Sequence, residues 1–283
     1  MTRELSVIMG EKYKIGVISK ILGIPSQTLH YYEKCGFVTP EKDIQTGYRY
    51  YDAWDINFLL DSKCWQSYEF SNQMVEQMIH KDGVEDIKGK LSSQKKQLVD
   101  KMIYYQNLIE QLDAEQNRIE NITAHLNQYT VDYNPVLYFD TYRRRNLYQS
   151  SQDEKEIPQM QEWIKALPFV QPTFRVERES IFAKNLKELL FWWGFSVTPK
   201  KAKELKLDFC EKSTFVASKK CVYTVFEAYT EDTFAKALQD QVFDPIQKKG
   251  YEISGDPIGR LIVRTHEGEN YKRYFEIWVP VME

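Results

Sequence analysis

At 283 residues the chain is longer than one ordinary domain, and 42% hydrophobic with 28% charged residues is the composition of a folded globular protein, not a disordered one. It has no run of about 18 apolar residues, which excludes a membrane-spanning helix, and the first ten residues lack the basic start and apolar stretch of a secretory leader, so a cytoplasmic location is expected. A net charge of −3, with eight Lys/Arg against nine Asp/Glu over residues 1–70, excludes a protein that coats nucleic acid through bulk positive charge.

Residues 13 to about 80 read as short helices and a hairpin. Tyr13–Leu22 places Ile15, Ile18, Ile21 and Leu22 at helical spacing. Gly23 breaks that helix, because glycine takes the positive φ of a tight turn without steric cost. Ser26 follows as the expected N-cap of a second helix, with Pro25 outside it and Leu29 and Tyr32 facing inward. Two helices joined by a short Gly-containing turn make a helix-turn-helix. The stretch from Ile44 to Tyr51, with Gly47 between β-formers, reads as a hairpin, or wing. Asp52 is placed to cap a further helix through Trp54, Phe58 and Leu59.

Over residues 84–128, Leu91, Leu98, Tyr105, Leu112, Ile119 and Leu126 fall seven apart without interruption. The segment has no proline, and its one interior glycine is Gly89. A narrow apolar seam of this length on a polar helix predicts a coiled coil between two copies of the chain, with Leu91, Leu98, Tyr105, Leu112 and Ile119 at the interface.

Beyond residue 130 the pattern changes. Val136–Tyr142 and Val222–Tyr229 read as strands, as does the aromatic segment Lys187–Val197. Lys155–Leu167 and Glu231–Lys248 read as helices. Ile258–Arg264 and Arg273–Val281 read as a hairpin turning at Glu267–Asn270. Strand–helix–strand–strand occurs twice, predicting a pseudo-symmetric α+β domain. The expected fold class is therefore multidomain, α plus (α+β). Its parts are a winged helix-turn-helix over 1–83, a dimerisation helix over 84–129 and an α+β domain over 130–283.

The four cysteines, Cys35, Cys64, Cys210 and Cys221, form no CxxC pair and read as free thiols. No cysteine lies between residues 65 and 209, and His30, His80, His125 and His266 lack ligand spacing, so no metal site and no cofactor are expected. With 19 Tyr, 15 Phe and 6 Trp, the chain carries more aromatic surface than its cores need. On strands, alternate members of that set share a face, which suits a small aromatic organic ligand. Trp192 and Trp193 point to opposite faces of a strand, so one cavity takes only one of them. The run Arg143-Arg144-Arg145 is read as a solvated strand end before a phosphate patch.

The residues Ile15-Gly16-Val17-Ile18-Ser19-Lys20, Gly23-Ile24, Thr28-Leu29-His30-Tyr31-Tyr32-Glu33, Gly36-Phe37, Pro40 and Gly47-Tyr48-Arg49-Tyr50-Tyr51 resemble the MerR family of transcription regulators over about 40 residues. The long helix resembles the antiparallel dimer helix of that family, and the last 150 residues resemble the GyrI-like effector-binding domain of its BmrR-like multidrug-responsive activators. The resemblance implies a homodimer on near-palindromic double-stranded promoter DNA. Such a dimer bends and untwists the duplex so that RNA polymerase engages it when an organic molecule binds. It implies DNA contacts from Ser26, Gln27, Thr28, His30, Tyr31, Tyr48, Arg49 and Tyr51. His30 stands where the family usually has Arg, which gives a weaker phosphate contact.

For the effector, Trp192, Trp193, Tyr229, Phe234, Arg260 and Tyr274 are the expected ligand-binding residues. In BmrR-like domains a buried Glu meets a cationic ligand, and here Arg260 falls at that register. Arg260 has two readings: a determinant of an anionic or neutral polar ligand, or a sheet salt bridge to Glu276. Some GyrI-like domains are hydrolases that use a Glu at this same position. The chain shows neither that Glu nor a Gly-x-Ser-x-Gly element, so no enzyme is expected.

Overall fold

The computed structural model describes residues 12–144, 147–148, 157–209, 213–229, 231–267 and 270–282. Expectations for Met1–Gly10, the start of the helix at Lys155, Arg145, Cys210 and the turn residues Gly268 and Glu269 lie outside the described residues. Two compact units divide at Tyr105 and Gln106.

In the first unit a short strand β1 (Tyr13–Lys14) precedes α1 (Ile15–Leu22), so Tyr13 is not helical as its spacing suggested. Gly23 closes α1 at φ 63°, the left-handed turn expected of it. The second helix, α2 (Ser26–Lys34), starts on Ser26 itself. Pro25 occupies the cap position, its carbonyl accepting from Thr28 N at 2.9 Å and Leu29 N at 3.1 Å, so Ser26 does not cap through its side chain. The wing is β2 (Glu41–Lys42) against β3 (Arg49–Tyr51), with β3 also pairing β1. Its tip is held by Asp43 Oδ1, which accepts from Thr46 N at 2.7 Å and Gln45 N at 2.9 Å. Asp52 caps α3 (Ala53–Ser67) in a reciprocal box with Asp55. Ser71 caps α4 (Asn72–His80). Ile18, Leu29, Tyr32, Phe37, Tyr51, Leu59 and Val75 make the core that fixes these pieces.

The long helix α5 (Val84–Glu120) is continuous over 37 residues. It stops at Glu120, ahead of the last member of the seven-residue repeat. A single turn, α6 (Ile122–His125), follows, and Leu126 bridges Val225 of the sheet. Ile122 and Leu126 pack with Val225 and Ile262, because the sheet offers them more apolar surface than a continued helix would.

The rest of the second unit is built on one antiparallel sheet. Chain order is β4 (Thr130–Tyr133), β5 (Leu137–Arg144), β6 (Leu147–Tyr148), α7 (Ile157–Lys165), β7 (Gln171–Val176) and the short turn α8 (Arg178–Ile181). A 3₁₀ turn at Leu186–Glu188 then leads into β8 (Phe191–Val197) and α9 (Pro199–Leu205). The strand read over Lys187–Val197 is thus confined to its last seven residues. There follow β9 (Thr214–Val216), β10 (Lys220–Ala228) and α10 (Glu231–Leu238), which runs through a π turn at Gln239–Phe243 into α11 (Asp244–Lys248). The chain closes with β11 (Glu252–Ile253), β12 (Ile258–Glu267) and β13 (Asn270–Met282), the expected hairpin.

Sheet order is β4-β10-β13-β12-β7-β8-β5-β6. The series β10-β13-β12 mirrors β5-β8-β7, and each series is one strand–helix–strand–strand unit, so the two meet at the β12–β7 pair. That is the pseudo-symmetric repeat expected of the α+β half. Backbones approach closely at this seam. A Cβ on Gly259 of β12 would lie 2.3 Å from the Phe174 ring and 2.5 Å from the Glu276 carbonyl.

The sheet has two unlike faces. Alternate residues Phe275, Ile277 and Val279 of β13, Val222 and Phe226 of β10 and Phe191 and Trp193 of β8 join α10 and α11 in the main core. Trp163 of α7 packs on the same side with Val197 and Ala202. The residues between them in sequence, among them Tyr223, Arg260, Tyr274, Glu276 and Trp278, lie on the opposite face, called the open face below.

Candidate nucleic-acid and ligand surfaces

The exposed side of α2 and the wing are tied together by one carboxylate. Glu33 Oε2 accepts from Arg49 Nε at 2.5 Å, and Lys42 Nζ stands 2.7 Å from Oε1. His30 Nδ1 is 3.9 Å from the same carboxylate. Burial raises the Glu33 pKa, but hydrogen bonds from Lys42 and Arg49 outweigh it and hold the carboxyl below the usual carboxylate range. His30, Lys34, Lys42 and Arg49 therefore line one open cleft with Glu33, the acid that holds Lys42 and Arg49 and stands near His30.

Tyr31 stands 50% exposed on the same helix. Its hydroxyl accepts from Asn72 Nδ2 at 2.6 Å. Asn72 Oδ1 accepts from Gln66 Nε2 at 2.9 Å, and Gln66 Oε1 accepts from the Tyr32 hydroxyl at 2.7 Å. This relay fixes Tyr31 from α3 and α4 while leaving its ring outside. Gln27 is exposed, and Ser26 and Thr28 are half-buried at the start of the helix. Tyr48 is exposed at the wing, with Lys14 Nζ 5.3 Å from its ring centre. Tyr51 is a correction: it is 0% exposed, packed in the domain core, and burial pushes its phenol up to about 12. Its pairing with Tyr13 on β1 turns the ring inward, so it has no surface to offer DNA.

Along α5, Leu91, Tyr105, Leu112 and Ile119 are exposed, as are Met102 and Ile109 beside them. Leu98 is half-buried. Leu91, Leu98, Val99 and Met102 line an apolar groove with Tyr68.

On the open face, Arg260 meets Glu276 of the neighbouring strand. Nε lies 2.8 Å and Nη2 2.7 Å from Oε1, and Nη1 donates to Gln171 Oε1 at 2.5 Å. The guanidinium carbon stands 5.0 Å from the Trp278 ring centre. Glu276 is 3% exposed and also accepts from the Tyr223 hydroxyl at 3.2 Å. Burial and then the Glu276 charge push the Tyr223 phenol up, which keeps it a neutral donor. Of the two readings of Arg260, the salt bridge to Glu276 is present.

The aromatics expected around a ligand divide between the faces. Trp192 lies on the open face with Leu137, Phe139 and Ile258, and Arg175 stands 5.3 Å from its ring centre. Tyr229 and Tyr274 flank the Lys272 ammonium at 5.6 and 5.5 Å. Trp193 and Phe234 are corrections. Phe234, on the inner side of α10, is 1% exposed and in ring contact with Trp193, Phe174 and Phe275. Both belong to the packed core on the helix side, because β8 alternates and α10 covers the side that Trp193 faces.

The last turns of α5 lie beside this face, where Gln171 Nε2 is 3.5 Å from Glu115 Oε1. A cleft of about 200 Å³ there is lined by Gln111 and Arg118 of α5 and by Gln171, Ser196, Lys201 and Arg260. Among the described residues, no three His, Cys, Asp or Glu side chains are placed to hold a metal ion, and no helix is long and apolar enough to cross a membrane.

Residues 13–82 match the family of MerR HTH regulatory proteins. The N-terminal domain is a MerR-family helix-turn-helix domain. No curated protein matches the chain. Among solved structures, the EcmrR–DNA complex in its open promoter complex is 17% identical, covering 96% of this chain and 100% of that one, at a TM-score of 0.34. The N-terminus of MtaN, the Bacillus subtilis multidrug transporter activator, is 26% identical over 36% of this chain and 96% of its own, at 0.34. SAV2435 bound to tetraphenylphosphonium is 18% identical over 55% of this chain and 94% of its own, at 0.30.

Several residues that organise these surfaces escaped sequence reasoning. Glu33 and Asn72 sit on helices whose spacing says only that they point outward. Lys272 also escaped it, whereas Tyr223 and Trp278 belong to the aromatic set read from the sequence without being picked out; strand alternation from Arg260 across the hairpin is the signal that groups all three on the open face.

Proposed function

We propose that this chain is a ligand-responsive transcription regulator that binds a near-palindromic promoter site as a homodimer. The exposed side of α2 enters the major groove, with Ser26, Gln27 and Thr28 leading, while His30, Tyr31, Tyr48 and Arg49 grip backbone phosphates. The observation that carries this reading is the Glu33 cluster, which sets the Arg49 and Lys42 cations and the His30 ring on one exposed side of a helix-turn-helix domain. Placed charges of this kind explain how a domain without net positive charge holds a polyanion.

The exposed seam of α5 supports dimerisation. Burying a Leu or Ile side chain stabilises by about 1.5–3 kcal/mol, so Leu91, Leu98, Tyr105, Leu112 and Ile119, counted in both copies, far exceed what a polar helix face contributes. A two-fold dimer then matches two half-sites, and the bend it imposes brings promoter elements into register for RNA polymerase. The open face, with its aromatic and polar side chains beside the last turns of α5, is the surface for a small organic effector. The 84–129 segment joins this effector domain, residues 130–283, to the DNA-binding domain, residues 1–83, so an effector that orders the helix end acts on the dimer.

Footprinting of the full-length protein on the DNA upstream of its own gene tests the reading. A protected, near-symmetric site with altered cleavage at its centre is expected. Uniform, salt-sensitive protection without a boundary overturns it.

A further inference from the structure

The open face repeats one arrangement: an aromatic wall, a carboxylate and a cation of the chain itself between them. Arg260 lies on Trp278 and is held by Glu276. Lys272 lies between Tyr229 and Tyr274 with Glu227 Oε2 at 3.3 Å. Arg175 lies on Trp192, with Asp256 3.8 Å from its Nε. An aromatic face beside a buried acid is the chemistry that captures organic cations. Of the three acids Glu276 is the buried one, and its place is filled by Arg260.

We infer that Arg260 is a built-in occupant of a cation cage formed by Glu276, Trp278 and Tyr223, and that it makes the effector face reject organic cations in favour of molecules without positive charge. The Arg260 pair is the decisive one because Glu276 is the most deeply buried of these acids. An arriving cation must break two short contacts to Glu276 and the bond to Gln171, and it restores at most what it removes. A neutral or anionic molecule in the adjoining cleft meets Gln111, Gln171 and Ser196, apolar side chains such as Leu137 and Phe169, and the paired cations Arg118, Lys201 and Arg260, without having to remove Arg260 from Glu276. The inference rests on the open face being the effector surface, but its cage chemistry is measured without a promoter.

The test uses benzyltrimethylammonium on full-length protein, read by tryptophan fluorescence and by thermal shift, with tert-butylbenzene as an uncharged control. The wild type is expected to show no saturable response. Arg260→Ala is expected to bind the ammonium at least tenfold more tightly than the wild type, and Arg260→Ala/Glu276→Gln to lose that gain. Should Arg260→Ala fail to fold, Arg260→Gln keeps a hydrogen-bonding partner for both Glu276 and Gln171 and should show the same gain. Saturable ammonium binding by the wild type, or no gain in either folded single variant, overturns the cage. A folded variant that gains cation binding while no compound alters promoter output would retain the cage and overturn the effector reading instead.

Discussion

Arg260 and Glu276 face each other at one register position of β12 and β13, with the acid almost wholly covered and the guanidinium resting on Trp278. Breaking such a pair differs from replacing it. Arg260→Ala leaves a buried carboxylate without its cation and should cost about 3 kcal/mol, whereas Arg260→Leu/Glu276→Leu removes both charges and should lie within about 1 kcal/mol of the wild type. Urea unfolding of the two variants checks this. Equal losses in both would mean that shape, not charge pairing, holds this part of the sheet.

The Glu33 cluster gives a pH dependence in the DNA-binding domain. Its carboxyl titrates below the usual range when folded, so the contribution is fully present above the unfolded pKa and is lost as pH falls through the folded one. Stability of the DNA-binding domain should therefore fall on acidification through the lower carboxylate range, and Glu33→Gln should flatten that part of the profile. At neutral pH Glu33→Gln removes a negative charge from the proposed DNA face. Non-specific DNA should then bind more tightly and discrimination for the operator should fall, as measured by salt-dependent titrations.

How far these surfaces were legible in the sequence follows from periodicity. Helical spacing and Gly23 located the helix-turn-helix, and strand alternation correctly set Trp192 and Trp193 on opposite sides. Alternation does not say which side the helices cover, so Trp193 and Phe234 were expected at a ligand and lie in the core. Tyr51 failed for a related reason. It belongs to a three-residue strand, too short for a period, and its inward turn is set by a β1 strand that the sequence read as helix. The seven-residue repeat located the long helix but ran past its end, because Ile122 and Leu126 find an apolar sheet surface brought near only by folding. The Arg260–Glu276 pair was one of two open readings, since a hairpin register fixes it and composition does not.

The seam of α5 predicts an obligate partner. Leu112 is 61% exposed, so Leu112→Lys leaves each copy's own core untouched. In the proposed dimer it sets a charge into each half of the apolar interface. Sedimentation should show a monomer with nearly unchanged helix content, and operator affinity should drop at least a hundredfold because two half-sites are no longer held together. A dimer that survives the substitution places the interface elsewhere.

Tyr31 separates DNA contact from packing. Its ring is half outside, and its hydroxyl is oriented by Asn72, which is itself oriented by Gln66 and Tyr32. The hydroxyl is also hydrogen-bonded with Cys35, and on DNA binding its proton would turn from there to a phosphate oxygen. Tyr31→Phe keeps the ring and removes only that donor, so stability should stay within about 0.5 kcal/mol while operator affinity falls three- to tenfold, the worth of about one hydrogen bond. Asn72→Ala should give a smaller loss of affinity, because the hydroxyl remains but is no longer held. Gel-shift titration alongside thermal unfolding distinguishes the outcomes. A Tyr31→Phe protein that loses stability without losing affinity would put the hydroxyl's role inside the domain and return Tyr31 to packing.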